Sequence, residues 1–318
     1  MKQAFDLAIA SDSEYETASI KLLEEISGEL GLSTYVIKAH NLDDTCLRLE
    51  REEIGFNFYF DRASDTSPEF LNLYNLVIQR NVPVLDPWVN LKRASDKALM
   101  HIGFEDAGIP TPYTIILPPL DRLGGTCFLE ADLSKVGKPF VVKPANTTGG
   151  GIGVVNGAES IRDVDQARRM YHDNKYLLQE RIIPHEEKGR RFWFRCFYVC
   201  GAVECAWWDD KTHIYDILHQ DEIRAYALTP LFRIVRKIAK VCGLHFFSTE
   251  IAYTEKGEFV VVDYVNEICD MRLKSQFPDG VSDEIIRRIY GEIAKHVARK
   301  VGKRRSKSDW LKWLGRQR

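Results

Sequence analysis

Two clusters in this sequence carry residue types that do chemistry. The first is Ala-Asn-Thr-Thr-Gly-Gly-Gly-Ile-Gly, in which Gly149, Gly150, Gly151 and Gly153 leave backbone N–H groups bare and Thr147 and Thr148 add hydroxyl donors. Such a loop suits an anion, phosphate above all. Lys143 ends the apolar run KPFVVKP that enters the loop, and Lys97 lies on a helical stretch upstream, so two point charges are available for phosphate oxygens. The second cluster is Glu250, Asp263, Asn266 and Glu267, set in the otherwise apolar segments STEIAYT and GEFVVVDYVNE. A carboxylate in such a run is costly to bury unless it is paired or binds a metal. Hard oxygens from two adjacent strands are what Mg²⁺ bridged to phosphates requires. The plain alternatives are a tight turn that is merely glycine-rich, solvated lysines, and acids that pair with Arg191, Arg195 or Arg272.

The elements that must position these clusters follow from periodicity. The first ninety residues read as strand, helix, strand, helix, strand, helix, strand: FDLAIAS, a helix from about Tyr15 to Leu30, TYVIKA, a helix, IGFNFYFD, a helix, then VPVLD. That is a small parallel α/β layer. Its first turn, Ser11-Asp12-Ser13, has no dinucleotide fingerprint. A new unit begins near Asn90, with Ser95 as a helix cap, a helix through Asp106, Gly108 as its stop and Pro110-x-Pro112 leading to a strand. The glycine cluster then lies at the tip of a β-hairpin, with Ile152 to Val155 as the returning strand. No Gly-Lys-Ser/Thr follows it and no helix opens behind it, which excludes a Walker A loop. Downstream come a helix (about 160 to 171), the strand YLLQERII, a strand pair around Gly201, a helix opened by Thr229-Pro230, a hairpin turning at Glu255-Lys256-Gly257, and an amphipathic helix over 283 to 301.

Composition narrows the class. The 318 residues are 45% hydrophobic and 28% charged, and 44 Lys and Arg against 46 Asp and Glu leave a formal charge of -2. This is a globular chain with a full core, poorly suited to binding nucleic acid wholesale. No apolar stretch is long enough for a membrane helix and no export signal is legible, so a cytoplasmic protein is expected. Seven cysteines without a CxxC pair are expected to be free thiols. From Lys295 to Arg318 ten Lys or Arg stand against Asp309 alone, a contact for an anionic partner or simply a solvated helix end and tail.

The order Asp96-Lys97, Gly108-Ile-Pro-Thr-Pro, PFVVKP with its glycine loop, LLQERI, STEI and VVVDYVNE resembles the ATP-grasp superfamily over about residues 1 to 300. The resemblance implies a mixed α/β and α+β chain: a Rossmann-like pre-ATP-grasp domain (1–90), a central lobe with the Gly-rich lid (91–178), a C-terminal lobe with the metal hairpin (179–301), the two lobes clasping ATP, and a basic tail (302–318). It also implies roles. Lys97 and Lys143 would meet ATP phosphates, Gly149 to Gly153 would cover them, Glu180, Arg181 and Ile182 would meet the adenine, and Glu186 or Glu187 the ribose. Arg195 matches the arginine that ribosomal-protein glutamate ligases place near the γ-phosphate. Glu250, Asp263 and Asn266 match the metal-binding set for Mg²⁺, with Mn²⁺ as an alternative. Relatives carry Glu-x-Asn followed by Pro-Gly, whereas this chain has Asp263-Tyr-Val-Asn266 and then Glu267 and Asp270. Strand alternation puts Asp263 and Asn266 on opposite faces unless a bulge intervenes, and Glu267 or Asp270 could share the work.

The implied activity is ATP-dependent joining of a carboxylate to an amine through an acylphosphate, on a small molecule or a polypeptide. A phosphotransferase and a nucleotide-binding regulatory protein without turnover are the alternatives. A reaction of this kind needs positioning and positive charge rather than a nucleophilic triad, and none is legible. Arg62, at the carboxyl end of the third strand, could hold a substrate carboxylate or pair with Asp61 or Asp65. Arg272 is a second candidate for the substrate or acylphosphate. Lys211 and His213 could border the acceptor site. A homodimer is common among the proteins it resembles.

Overall fold

The computed structural model describes residues 3–120, 130–146 and 151–315, with side chains described for all but 130–132 and 303–315. The chain divides into two compact units, residues 1–87 together with 270–318, and residues 88–269.

The first unit has a four-stranded parallel sheet in the order Thr34–Ile37, Leu7–Ser11, Tyr59–Arg62, Val84–Leu85. Leu7 to Ala10 are fully buried, as strands covered on both faces must be. The run IGFNFYFD forms two strands rather than one, because Ile54–Phe56 leaves to pair with Gln3–Phe5. The final helix, Asp283–Gly315, belongs to this unit: it packs on Thr17–Glu29, and Tyr290 Oη donates to Ser19 Oγ at 3.3 Å. The expected boundary at 301 therefore does not exist. Residues 270–301 group with the first domain, and 302–315 continue the same helix instead of forming a separate tail.

Among its described residues the second unit holds two large antiparallel sheets and a two-stranded one, Glu186–Glu187 with Arg190–Arg191. Of the large sheets, one runs Thr114–Leu117, Tyr176–Glu180, Phe140–Pro144, Val155–Ala158. The glycine segment thus joins two paired strands, as expected, although the returning strand starts at Val155, beyond Ile152. The other runs Tyr215–Ile217, Ala202–Trp208, Trp193–Val199, Phe246–Tyr253, Phe259–Asn266. Helix Thr229–Cys242 shares a core with this sheet through Leu231, Val235 and Ile238, starts with proline in its first turn, and ends on Gly243 at φ 73°.

Two expectations need correction. Ser95 ends a preceding helix, where its Oγ donates to Lys92 O; the cap of Lys97–Asp106 is Asp96, whose Oδ1 accepts from Ala98 N and Leu99 N at 2.9 and 3.1 Å. Nor are all cysteines free. Cys196 and Cys205 lie directly opposite on neighbouring antiparallel strands, 4.1 Å apart at Cα, and their sulfurs are joined as a disulfide. Cys46, Cys200, Cys242 and Cys269 form no disulfide with a described residue.

The core of the second unit contains one buried polar chain. Tyr264 Oη lies 2.8 Å from His101 Nδ1 and accepts from Gln179 Nε2 at 2.5 Å, and Gln179 Nε2 also donates to Thr114 Oγ1 at 2.9 Å. Burial lowers the His101 pKa from its ordinary 6.5, opposed by Glu105 and reinforced by Lys143. The native state then takes up this proton at lower pH than the unfolded chain does, so stability is full above about pH 6.5 and is lost as pH falls below it. Chemical denaturation across that range should show a shallower loss for His101→Gln than for the parent. Parallel curves would exclude His101 as the source.

Candidate functional site

The site is built on the hairpin of Phe246–Tyr253 and Phe259–Asn266. Ser248 pairs with Asn266 and Glu250 with Asp263, so four residues on one strand lie opposite three on the other. This is the bulge the sequence required: it turns Asp263 and Asn266 to the same side, and Asn266 Nδ2 donates to Asp263 Oδ2 at 2.9 Å. The neighbouring strand aligns Arg195 with Glu250, and the two form a close ion pair. Trp193 Nε1 donates to the other Glu250 oxygen at 3.0 Å.

Lys143 approaches from the other sheet. Its Nζ donates to Val262 O at 3.0 Å, next to Asp263, and stands 5.1 Å from the centre of the Tyr264 ring. Lys97 enters from the start of its helix, whose Asp96 cap also takes Lys175 Nζ at 2.5 Å, while Lys97 N donates to Ala145 O at 2.9 Å. The glycine strand and the Lys97 helix are therefore tied at Ala145.

Charges buried this close set one another's titration. Asp263 is held low, to about 2, because Lys97, Lys143 and Arg195 together outweigh the effect of burial. Burial raises the Glu250 carboxyl, with Asp263 adding to it and Arg195 opposing. Burial lowers Lys143 to about 8 although Asp263 attracts its proton. Burial disfavours the charge on Arg195, yet Glu250 keeps it above the ordinary range. The arrangement favours anionic oxygens at the lysines and a hard cation at the acids. Asp263 Oδ1 and Asn266 Oδ1 carry no hydrogen bond to a described residue, and Glu250 could contribute an oxygen by releasing Arg195 or Trp193. That donor set fits Mg²⁺, which keeps water and phosphate oxygens in its remaining positions. No group of three or more His, Cys, Asp or Glu suited to a metal occurs among the described residues.

Other expected residues separate into those near the site and those elsewhere. Glu180 ends its strand, and Arg181 and Ile182 continue outside any strand or helix with no backbone hydrogen bond to a described residue. Glu187 is half-buried in a short hairpin, Glu186–Glu187 with Arg190–Arg191, and its carboxylate lies 3.3 Å from Lys188; Glu186 is exposed. Of the glycines, Gly149 and Gly150 lie outside the described residues, as do Thr147 and Thr148. Gly151 and Gly153 have φ of 71° and 78°, and a Cβ on Gly153 would meet Tyr171 at 3.1 Å, so this position demands glycine. Arg62 pairs with Glu16, its side chain is 3% exposed, and its charge also opposes the rise that burial imposes on the Asp65 carboxyl. The carboxylate it holds is the chain's own. Arg272 and Asp270 belong to the first unit and pair there at 2.8 Å, with Asp279 also on the guanidinium.

Sequence reading missed a cavity of about 310 Å³ at the edge of the second sheet, lined by Arg190, Arg191, Trp207, Trp208, Thr212 and Asp216 among others. His213 stacks on Trp208 at 5.3 Å, and the Arg195 guanidinium stands 5.6 Å from the Trp208 ring centre. The WWDD run was the signal. Lys211 and His213 do not line this cavity, but they flank Thr212, which does, in the turn where Asp209 accepts from Lys211 N and Thr212 N.

No family model and no curated protein matches the sequence. Solved structures do. The chain superposes on a RimK-domain ATP-grasp protein from Sphaerobacter thermophilus with a TM-score of 0.62 at 18% identity, covering 91% of this chain and 98% of that one. D-alanine–D-alanine ligase from Bacillus anthracis, complexed with ATP, gives 0.63 at 13% identity over 96% and 99%. The ATP-grasp ligase PsnB, complexed with minimal precursor, Mg and ADP, gives 0.61 at 13% over 93% and 98%. The chain has the ATP-grasp fold.

Lys143→Ala should weaken Mg·ATP binding about ten- to a hundredfold, the range expected on removing a charged hydrogen-bond donor from phosphate. Glu250→Gln should lower metal-dependent ADP release more than it lowers nucleotide affinity. Calorimetry and turnover on the same preparations check both, and unchanged turnover in Glu250→Gln would remove Glu250 from the metal set.

Proposed function

We propose that this protein is an ATP- and Mg²⁺-dependent ligase that joins a carboxylate to an amine through an acylphosphate. The observation that carries this reading is the meeting of Lys97, Lys143 and Arg195 around Asp263 and Glu250 on a bulged hairpin, within an ATP-grasp fold. Mg²⁺ bound at Asp263, Asn266 and Glu250 would offset charge on the phosphates. Lys143 has two N–H donors beyond its bond to Val262, and these suit phosphate oxygens. Arg195 spans the carboxylate it now holds and the Trp208 ring, a position from which it can meet the transferring phosphoryl group. Arg181 and Ile182 supply backbone groups for the adenine edge, and Glu187 is the carboxylate assigned to the ribose. Gly149 to Gly153 are the residues assigned to cover the phosphates.

In the first step the substrate carboxylate oxygen takes the γ-phosphoryl group and ADP leaves. In the second the amine attacks the carbonyl carbon and phosphate departs with the bonding electrons. Neither step needs a protein nucleophile; positioning and fixed positive charge lower both barriers. The acceptor is proposed to enter at the cavity beside Trp208, with Lys211 and His213 at its rim. The ligase reading draws support from structures of the same fold whose names describe a D-alanine–D-alanine ligase and a ligase bound to its precursor.

Thermal unfolding with and without Mg·ATP is the first test. Saturation at a hundred times Kd stabilises a native-only binder by about 2.7 kcal/mol, a readable rise in melting temperature that Lys143→Ala should lose. Paired acids and amines are then screened for ADP release. Free phosphate formed only when both are present supports the ligase. Phosphate retained on a product identifies phosphotransfer instead, and no thermal shift at all rejects the nucleotide site.

A further inference from the structure

Lys143 is 7% exposed and has Asp263 and Glu250 close enough to shift its titration. A buried ammonium normally closes onto a carboxylate, because an unpaired charge in a low dielectric is costly. Here no carboxylate among the described residues lies within ion-pairing distance of Lys143. Its single hydrogen bond goes to Val262 O, and its ammonium rests 5.1 Å from the centre of the Tyr264 ring, inside the range of a cation–π contact.

Tyr264 is itself fully buried and fixed on several sides. Gln179 Nε2 donates to its oxygen at 2.5 Å, which leaves the phenol proton for His101 Nδ1 at 2.8 Å. Phe104 packs edge-on against the ring at 5.2 Å. The phenol thereby joins the metal strand to the helix that starts at Lys97 and to the strand that ends at Glu180. Neither His101, Gln179 nor Tyr264 has a role in the chemistry proposed above.

We infer that Tyr264 is a positioning residue whose clamped ring seats the Lys143 ammonium apart from Asp263, leaving the lysine free for phosphate and the acid free for a cation. The inference rests on the nucleotide-cleft reading. An ion pair between the two would consume both charges at once. The ring prevents this by offering the ammonium an attractive surface that carries no net charge.

The test uses the full chain with Tyr264→Phe and with difluoro- and pentafluorophenylalanine at the same position, which keep the ring's shape while draining its π density. Two quantities are read: the Kd of Mg·AMPPNP by calorimetry, and the proton shift of the Lys143 ε-methylene, assigned by Lys143→Arg, which a ring beneath it moves upfield. The expected result is an upfield Lys143 resonance in the parent and in Tyr264→Phe, with Kd rising stepwise along the fluorinated series by about two- to tenfold in total. A merely structural tyrosine would lower stability in Tyr264→Phe without that graded response. A flat Kd across the series, or an unshifted Lys143 resonance in the parent, overturns the inference. Should the parent bind no nucleotide, the reading of the cleft fails, and the Lys143 resonance alone then decides whether the ring seats the ammonium.

Discussion

The 88–269 unit depends on keeping two lysines, an arginine and two carboxylates together out of water. Like charges repel and every charge loses hydration there, so the cluster persists only with its geometry fixed by groups outside it. Asp96 does this for the start of the Lys97 helix, and Trp193 for Glu250. The low Asp263 pKa and the raised one at Glu250 are two results of one constraint: positive charge surrounds the first carboxylate, whereas burial dominates at the second.

The hairpin bulge is the backbone's answer to the same constraint. Regular alternation would turn either Asp263 or Asn266 toward the apolar side of the sheet. Spanning Ser248 to Glu250 with Asn266 to Asp263 keeps both polar groups on one side and leaves Val261 and Val265 in the core.

Much of this was legible in the sequence, and what was not has identifiable causes. Periodicity gave the parallel layer, the glycine hairpin and the helix opened by Pro230, because each is local. The spacing of Asp263 and Asn266 posed the question of a bulge, and the register answers it. Glu16 as the partner of Arg62 was not legible, because it is distant in sequence and meets it only in the folded unit. The disulfide needed the register of Cys196 on Cys205, which composition and spacing do not reveal. Tyr264 was read as one more apolar residue in VVVDYVN; nothing in a strand pattern announces that its oxygen will meet a histidine and a glutamine from two other elements. The cavity beside Trp208 was missed because it is formed by separate turns.

The division of the chain has a consequence for biosynthesis. Residues 1–87 and 270–318 form one unit, with the whole of 88–269 inserted between them. The helix that packs on Thr17–Glu29 is synthesised after the whole of 88–269, so Thr17–Glu29 waits for that insertion to be made before its partner arrives. If 88–269 folds first, it shortens the effective loop between the two segments and reduces the entropy lost in closing it. The inserted unit would then bring together in the chain the two segments that complete the first.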